Sequence, residues 1–152
     1  MTHSEKARDL FCEGYNCAQA VFTAYCDVTK MDEATALSIS SSFGGGMGRL
    51  REVCGAVSGV FMAAGILLGY TDPKDDIAKK EHYALIQDIA RRFKEKNSSI
   101  ICRELVEGIA KDTLPTPTPR NEEFYKTRPC LRFVMDACDI LDEILEERKK
   151  ES

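Results

Sequence analysis

The sequence has few histidines and no Cys-x-x-Cys pair, and these two absences exclude several kinds of site. Only His3 and His82 could act as imidazole ligands, so a histidine-rich metal site is not expected. Without a Cys-x-x-Cys pair, the chain has neither a thioredoxin-type dithiol nor the paired cysteines of a zinc finger. Any site built from several cysteines must therefore be assembled from distant parts of the chain.

The chain also lacks a basic nucleic-acid-binding pattern and a secretory leader. Its formal net charge is −4 with mixed signs, and it has no basic stripe with interleaved aromatic residues, so no nucleic-acid partner is expected. The N-terminal segment "MTHSEKARDL" is charged and contains no apolar core of a signal peptide. We therefore expect a cytoplasmic location, where a chain with seven cysteines more often binds metal or performs redox chemistry than forms structural disulfides.

No segment has a convincing strand pattern, and 152 residues suffice for one domain with a substantial core. Asn16 and Gln19 have the spacing of a capping box, and Pro129 is placed to open the last helix at its first position. Helices are predicted over 3–12, from 17, over 31–42, 53–70, 74–96 and 99–107, and from 129. The sequence thus predicts an all-α, single-domain helical bundle of about five to seven helices, spanning 1–152.

The uncharged segment 53–70 has two interpretations. It lies at the lower length limit for a membrane-spanning helix, and Gly55 and Gly59 have the small-xxx-small spacing of packed membrane helices. The alternative is the central helix of a bundle, in which small residues let neighbouring helices approach closely. We favour the central helix and expect no membrane span, because every other predicted helix is amphipathic.

The glycine turn before this helix, "FGGGMG", invites comparison with a phosphate-binding loop. The P-loop needs a preceding strand and a Gly-Lys-Ser/Thr ending, and the dinucleotide-binding pattern needs glycines at its first, third and sixth places; neither requirement is met. A helix N-terminus with nearby arginine still suits an anion, so Gly44, Gly45, Gly46 and Arg49 are candidate cofactor-binding residues. The alternative is that these glycines only permit a sharp turn between helices.

Four of the cysteines fall at predicted helix N-termini: Cys17, Cys54, Cys102 and Cys130. Unpaired N–H groups and the positive end of the helix dipole stabilise a thiolate there, and arginines lie close in sequence to the last three. Cys12 and Cys26 instead fall at predicted helix C-termini, and Cys138 lies within an apolar stripe. These three are interpreted as small buried hydrophobic residues.

The cysteines and their surroundings resemble a family of redox-active proteins named for a C-GCAxxG-C-C pattern. The resemblance covers nearly the whole chain and rests on "GYNCAQAV", on "FGGGMGRLREVCGAVSG" with Cys-Gly-Ala-x-x-Gly at 54–59, and on single later cysteines. It implies an all-helical protein with a redox role. It places the family's cysteines on Cys17, Cys54, Cys102 and Cys130, with Cys138 as a rival for the last place. The family more often has a small residue where Arg51 stands.

The leading hypothesis is a redox protein whose four cysteines form one site, and it has three chemical versions. Similarity to iron–sulfur units of larger redox proteins implies a cluster, of the two-iron type, held by all four cysteines. As redox thiols, one cysteine attacks and another resolves, and we expect Cys54 to have the lowest pKa because a helix start and two arginines lie beside it. The same four ligands also suit zinc.

The competing hypothesis is a non-catalytic helical adaptor or small-ligand binder with incidental thiols, which predicts scattered cysteines. The redox hypothesis instead requires the four cysteines to converge. It also requires a redox partner protein, which the sequence does not identify.

Overall fold

Helices form almost all of the regular structure. A computed structural model describes residues 1–110 and 112–151, and Lys111 and Ser152 lie outside these ranges. Within them the α-helices are α1 (His3–Cys12), α2 (Cys17–Ala24), α3 (Cys26–Thr29), α4 (Glu33–Ser40), α5 (Gly55–Leu68), α6 (Asp76–Asn97), α7 (Cys102–Leu105), α8 (Glu122–Thr127) and α9 (Cys130–Glu151), with a 3-10 turn at Ser41–Phe43. The described residues contain no strand, so the prediction of an all-α single domain is confirmed.

Side-chain caps fix where several helices begin. Asn16 Oδ1 accepts a hydrogen bond from the Gln19 backbone N–H at 2.9 Å, and Gln19 Oε1 accepts one from the Asn16 N–H at 3.1 Å. This reciprocal capping box confirms the predicted start of α2 and makes Cys17 its first residue. Asp32 caps α4 with its side chain alone, which accepts a hydrogen bond from the Thr35 backbone N–H at 2.9 Å.

α5 is the packed central helix that the sequence favours over a membrane span. It has 14 residues, fewer than the segment 53–70 suggests, because Val53 and Cys54 belong to an extended segment before it. In the described ranges, no helix has both the length and the apolar character needed to cross a bilayer. A Cβ on Gly59 would lie 2.9 Å from the Ala18 carbonyl oxygen, so this glycine sets how closely α5 packs on α2.

α9 closes the bundle against α1, α2, α5 and α6. Its buried residues include Val134, Cys138 and Leu141, which belong to the predicted apolar stripe. Pro129 was expected as the first helical residue but lies immediately before α9, where its carbonyl accepts a backbone bond from Phe133 at 3.3 Å. The first residue of α9 is therefore Cys130.

The glycine turn leads into a short extended pairing that brings two distant segments together. Cys54 N donates to the Ile100 carbonyl at 2.8 Å, and Cys102 N donates to the Glu52 carbonyl at 2.6 Å. Because 100 and 101 take part in this pairing, α7 begins at Cys102 and not near residue 99 as predicted. Gly46, with φ +73°, turns the chain here, and a Cβ on it would lie 2.6 Å from the Cys102 Cβ.

Candidate functional site

A cavity of about 440 Å³ lies where the glycine turn meets the starts of four helices. Its lining includes Cys17, Cys54, Cys102 and Cys130, and no other cysteine of the described residues lines it. The first three come from segments that meet around the glycine turn, and the fourth comes from α9. The structure thus brings to one cavity the four cysteines that the sequence places at helix starts.

Each of these four cysteines occupies the start of a helix. Cys17, Cys102 and Cys130 are the first residues of α2, α7 and α9, and Cys54 is the residue immediately before α5. The predicted placement at helix N-termini is therefore confirmed. The first-turn N–H groups of a helix have no partners within it, so these positions favour negative charge on sulfur.

The thiols of Cys17 and Cys130 both line the cavity, and each shifts the pKa of the other. The interaction with Cys17, together with Arg128 and Arg120, lowers the pKa of Cys130 to about 7 in spite of its burial. The interaction with Cys130 and the burial of its own thiol raise the pKa of Cys17 well above its usual range. The thiolate is therefore favoured on Cys130 and the protonated thiol on Cys17.

Cys54 is not the most acidic cysteine, and that prediction is wrong. Burial raises the pKa of Cys54 to about 12, although the backbone N–H groups of Ala56 and Val57 oppose the rise. Arg51, which stands near Cys54 in sequence, instead reaches Cys102, with Nη1 3.8 Å from Sγ. Burial also raises the pKa of Cys102, and Arg51 opposes it. Both thiols are therefore protonated at neutral pH.

The three remaining cysteines lie away from the cavity lining. Cys138 is fully buried in the core, where burial raises its pKa, as the sequence predicts for a small hydrophobic residue. Cys130 and not Cys138 reaches the cavity. The prediction of burial is wrong for Cys12, which is exposed at the end of α1. Cys26 is half-buried, and it begins α3 instead of ending a helix.

The proposed anion-binding residues Gly44, Gly45, Gly46 and Arg49 also line the cavity. The Arg49 guanidinium, however, is engaged by the protein itself. It donates to the Leu114 carbonyl at 2.7 Å, to Thr118 Oγ1 at 2.8 Å and to Asp112 Oδ1 at 3.0 Å. Arg49 therefore holds the proline-rich segment 112–118 against the glycine turn, and Pro115 and Pro117 of that segment form part of the cavity wall.

Arg120 is a cavity residue that sequence reasoning missed. It donates to the carbonyls of Phe11 and Tyr15, both at 2.9 Å, and its guanidinium lies 4.3 Å from the Phe11 ring centroid. It thereby joins the end of the proline-rich segment to the segment between α1 and α2. These partners are more than 100 residues away, so no local pattern in the sequence marks Arg120 as part of the site.

The match to a protein family agrees with this cysteine arrangement. A family model described as "Putative redox-active protein (C_GCAxxG_C_C)" matches residues 15–144. The chain belongs to the C_GCAxxG_C_C family. No curated protein and no solved structure matches the chain significantly.

In this member of the C_GCAxxG_C_C family, the segment Cys-Gly-Ala-x-x-Gly at 54–59 joins the cavity to the core. A Cβ on Gly55 would lie 3.0 Å from the Phe43 carbonyl oxygen and 3.2 Å from the Cys17 Cβ. The two glycines of the segment therefore allow α5 to start beside Cys17 and to pack along α2. This packing places Cys54 at the cavity.

The fit of the cysteines to a metal can be judged from their arrangement. Within residues 1–110 and 112–151, no group of three or more His, Cys, Asp or Glu side chains is arranged to hold a metal ion. A zinc site of four cysteines needs each sulfur about 2.3 Å from one ion. The arrangement described for this C_GCAxxG_C_C protein therefore does not fit a single zinc ion without movement of the cysteines.

Proposed function

We propose that this chain is a thiol redox protein in which Cys130 is the attacking sulfur and Cys17 the resolving sulfur. The observation that carries the proposal is that four cysteines line one cavity, and the two of them with mutually shifted pKa values are Cys17 and Cys130. Membership of a redox-active family supports a role of this class. An adaptor with incidental thiols predicts scattered cysteines, and the shared cavity argues against it.

The proposed reaction is the reduction of a substrate disulfide. The Cys130 thiolate attacks one sulfur of the substrate, the substrate S–S bond breaks, and the leaving thiolate takes a proton from solvent. The Cys17 thiol then loses its proton to the second leaving group and attacks the Cys130 sulfur. This step forms a Cys17–Cys130 disulfide and releases the second substrate thiol. Two electrons pass from the protein dithiol to the substrate, and an external dithiol reductant must restore the protein.

The surroundings of the pair suit these two roles. Arg128 and Arg120 favour the thiolate of Cys130, which is the form that attacks a disulfide. Cys17 keeps its proton while Cys130 is ionised, and it lies next to the sulfur that it has to attack. The cytoplasmic location expected from the sequence stays a prediction, and a reducing compartment would supply the dithiol reductant that the cycle needs.

Trapping of the mixed disulfide tests this assignment. Reduced Cys17→Ser protein, treated with hydroxyethyl disulfide, should accumulate a mixed disulfide on Cys130, detected by peptide mass spectrometry. Wild-type protein should instead form the Cys17–Cys130 disulfide, and Cys130→Ser protein should form neither product. Cys12→Ser is the matched control, since Cys12 lies outside the cavity, and it should behave as the wild type. A disulfide between any other pair of cysteines would contradict the proposal.

A second candidate is an iron–sulfur cluster, and the observation that favours it is that all four cysteines line the same cavity. Four cysteine thiolates are the usual ligand set of two-iron and four-iron clusters, so Cys17, Cys54, Cys102 and Cys130 would hold it. Such a group supplies one-electron transfer when bound. The chain would contribute helix N–H groups as donors to the ligating sulfurs, which is one means of setting the potential.

Iron and labile-sulfide analysis of protein prepared without oxygen separates the two candidates. The cluster candidate predicts stoichiometric iron and sulfide with visible absorption, both lost in Cys54→Ser. The thiol candidate predicts colourless protein in which Cys54→Ser still forms the Cys17–Cys130 disulfide. Iron-free protein would contradict the cluster. If Cys54→Ser abolishes the Cys17–Cys130 disulfide, the pair does not act independently of Cys54, and the thiol candidate is contradicted.

A further inference from the structure

The charged side chains that line the cavity are all cationic, although the chain is acidic and one of them, Arg49, pairs with the Asp112 carboxylate outside the lining. The charged side chains of its described lining are Arg49, Arg51, Arg120 and Arg128, with no aspartate, glutamate, lysine or histidine among them. The whole chain carries a formal net charge of −4. A concave site lined with one sign of charge concentrates ligands of the opposite sign, so the cavity is electrostatically suited to an anion.

In three of these arginines, no buried guanidinium nitrogen lacks a hydrogen-bond partner among the described residues. Arg49 donates to three groups of the segment 112–118, and Arg120 donates to two backbone carbonyls. Arg128 donates from Nη2 to Thr118 Oγ1 at 3.4 Å, and its guanidinium lies 5.1 Å from the Phe124 ring centroid. These contacts explain why each of the three guanidinium groups is held where it is.

Arg51 differs from the other three. It is only 3 % exposed, and its Nε donates to the Asp112 carbonyl at 3.2 Å while Nη1 lies 3.8 Å from Cys102 Sγ. Its Nη2 is buried and has no hydrogen-bond partner among the described residues. A buried donor of a charged group left without a partner is costly, so an unpartnered guanidinium nitrogen in a cavity wall calls for an acceptor from a ligand.

We infer that the cavity takes a small disulfide that carries a carboxylate, and that Arg51 Nη2 donates to this carboxylate. The inference rests on the proposed thiol function and names its substrate class. Guanidinium groups match the planar geometry of a carboxylate, and the cavity volume of about 440 Å³ is in the usual range for small-molecule sites. A small disulfide therefore fits a cavity of this volume better than the disulfide of a folded protein does.

A preference for anionic disulfides is a sharp criterion, because the other charges of the protein oppose it. The attacking group is an anionic thiolate in an acidic chain, and both features repel an anionic substrate. Without a cationic binding residue, the reactivity should rise from anionic to neutral to cationic disulfides. A preference for the anionic disulfide therefore reports on the arginines of the cavity.

The experiment compares three disulfides of similar size: dithiodiglycolate (anionic), hydroxyethyl disulfide (neutral) and cystamine (cationic). Second-order rate constants for Cys17–Cys130 disulfide formation are measured by stopped flow at low ionic strength. We expect dithiodiglycolate to react about tenfold or more faster than hydroxyethyl disulfide, because one charge-assisted hydrogen bond contributes a factor of this size. Added salt should reduce this ratio. Equal rates, or cystamine fastest, would overturn the inference while leaving the proposed function in place.

Arg51→Gln should lower the ratio of the dithiodiglycolate rate to the hydroxyethyl disulfide rate to about one or below. The matched control is Arg103→Gln, because Arg103 lies close to Arg51, pairs with Glu52 and does not line the cavity. The control removes the same charge and should keep the wild-type ratio. A ratio that falls equally in both variants would overturn the assignment to Arg51.

A measurement on wild-type protein keeps the inference testable where Arg51→Gln does not fold, as judged by circular dichroism. Glutarate carries two carboxylates and no sulfur, and it should slow the reaction with hydroxyethyl disulfide by competing for the cavity. No protection by glutarate would overturn the inference. If no disulfide reacts at all, the proposed function fails. Calorimetry with glutarate then tests the anion site separately. Binding of glutarate supports the anion site, and absence of binding overturns it.

Discussion

Among single side chains, Cys130 is the one whose surroundings most favour reaction at neutral pH. Its pKa is lowered to about 7, whereas the pKa of Cys54 is raised to about 12 by burial. We expect iodoacetamide to alkylate Cys130 first among the cavity cysteines, with a rate that rises to half its maximum near pH 7. Alkylation followed over a pH series by peptide mass spectrometry gives this midpoint directly.

Arg128→Gln should move the midpoint of Cys130 alkylation to higher pH, since Arg128 is one of the groups that stabilise the thiolate. Arg132→Gln, on α9, is the control, because the Arg132 guanidinium donates to Asn97 and lies over the Phe133 ring. A Cys130 midpoint near that of a free thiol in wild-type protein would show that its surroundings do not activate it.

The candidate cysteines were predictable from sequence, but their reactivities were not. Helix-start signals such as Asn16 and Gln19 are local, so they place a cysteine at an N-terminus correctly. The order of pKa values depends instead on which side chains meet across the fold. The sequence places two arginines near Cys54, yet the chain directs Arg49 to the segment 112–118 and Arg51 to Cys102.

Among the helices, the packing of α5 on α2 depends on where the small residues of α5 lie. Gly59→Ala should destabilise the protein by about 1–3 kcal/mol, because the added Cβ would lie 2.9 Å from the Ala18 carbonyl oxygen and 3.0 Å from the Val21 Cβ. Gly65→Ala, on the same helix, has no neighbouring atom within 4 Å of the added Cβ and should stabilise by about 0.5–1 kcal/mol. Urea unfolding of both variants measures the difference, and equal effects would refute the close packing.

A second feature of the helices is the histidine that ties α1 to α3 and α9. His3 Nδ1 lies 2.9 Å from Asp142 Oδ1 and Nε2 lies 2.9 Å from Asp27 Oδ1, and the ring stacks on Tyr25. The hydrogen bond to Asp142 is the largest of the effects that raise the pKa of His3. A raised pKa in the folded state means that the protonated form stabilises the fold.

This stabilisation should be fully present below about pH 6.5, the usual pKa of histidine, and lost as the pH rises through the raised value. The difference in free energy of unfolding between wild type and His3→Gln should therefore be larger at about pH 5.5 than at about pH 9. Asp142→Asn removes the largest cause of the shift and should reduce the same pH dependence. A difference that is independent of pH would contradict the role of protonated His3.

Several boundaries of the helices lay beyond prediction because tertiary contacts decide them. The pairing of 100–103 with 51–54 shortens both neighbouring helices, and it depends on residues some 50 positions apart. α8 was missed although Asn121 caps it through Phe124 N at 2.9 Å and two glutamates follow in its first turn. That local signal was available in the sequence, but it directly follows the proline-rich segment, whose composition argues against a helix.

On the scale of the whole molecule, one wall of the cavity is formed by a segment that lies outside the main core. Residues 112–118 cross the glycine turn, and Arg49 holds them there through Leu114, Thr118 and Asp112. Arg120 anchors the far end of the same segment on the carbonyls of Phe11 and Tyr15. Pro115, Pro117 and Thr118 of this segment line the cavity, so the segment does more than connect helices.

Arg49→Ala should release this segment while leaving the bundle folded, because the bonds it removes lie outside the main core. Loss of three hydrogen bonds of a charged group predicts hydrogen exchange about tenfold or more faster over 112–128, measured by mass spectrometry. Iodoacetamide should also reach the cavity cysteines faster. Arg8→Ala is the matched control, since Arg8 pairs with its exposed neighbour Asp9. Unchanged hydrogen exchange in Arg49→Ala would mean that the prolines and Arg120 hold the segment without Arg49. The cavity would then be a rigid pocket that substrates enter without movement of its wall.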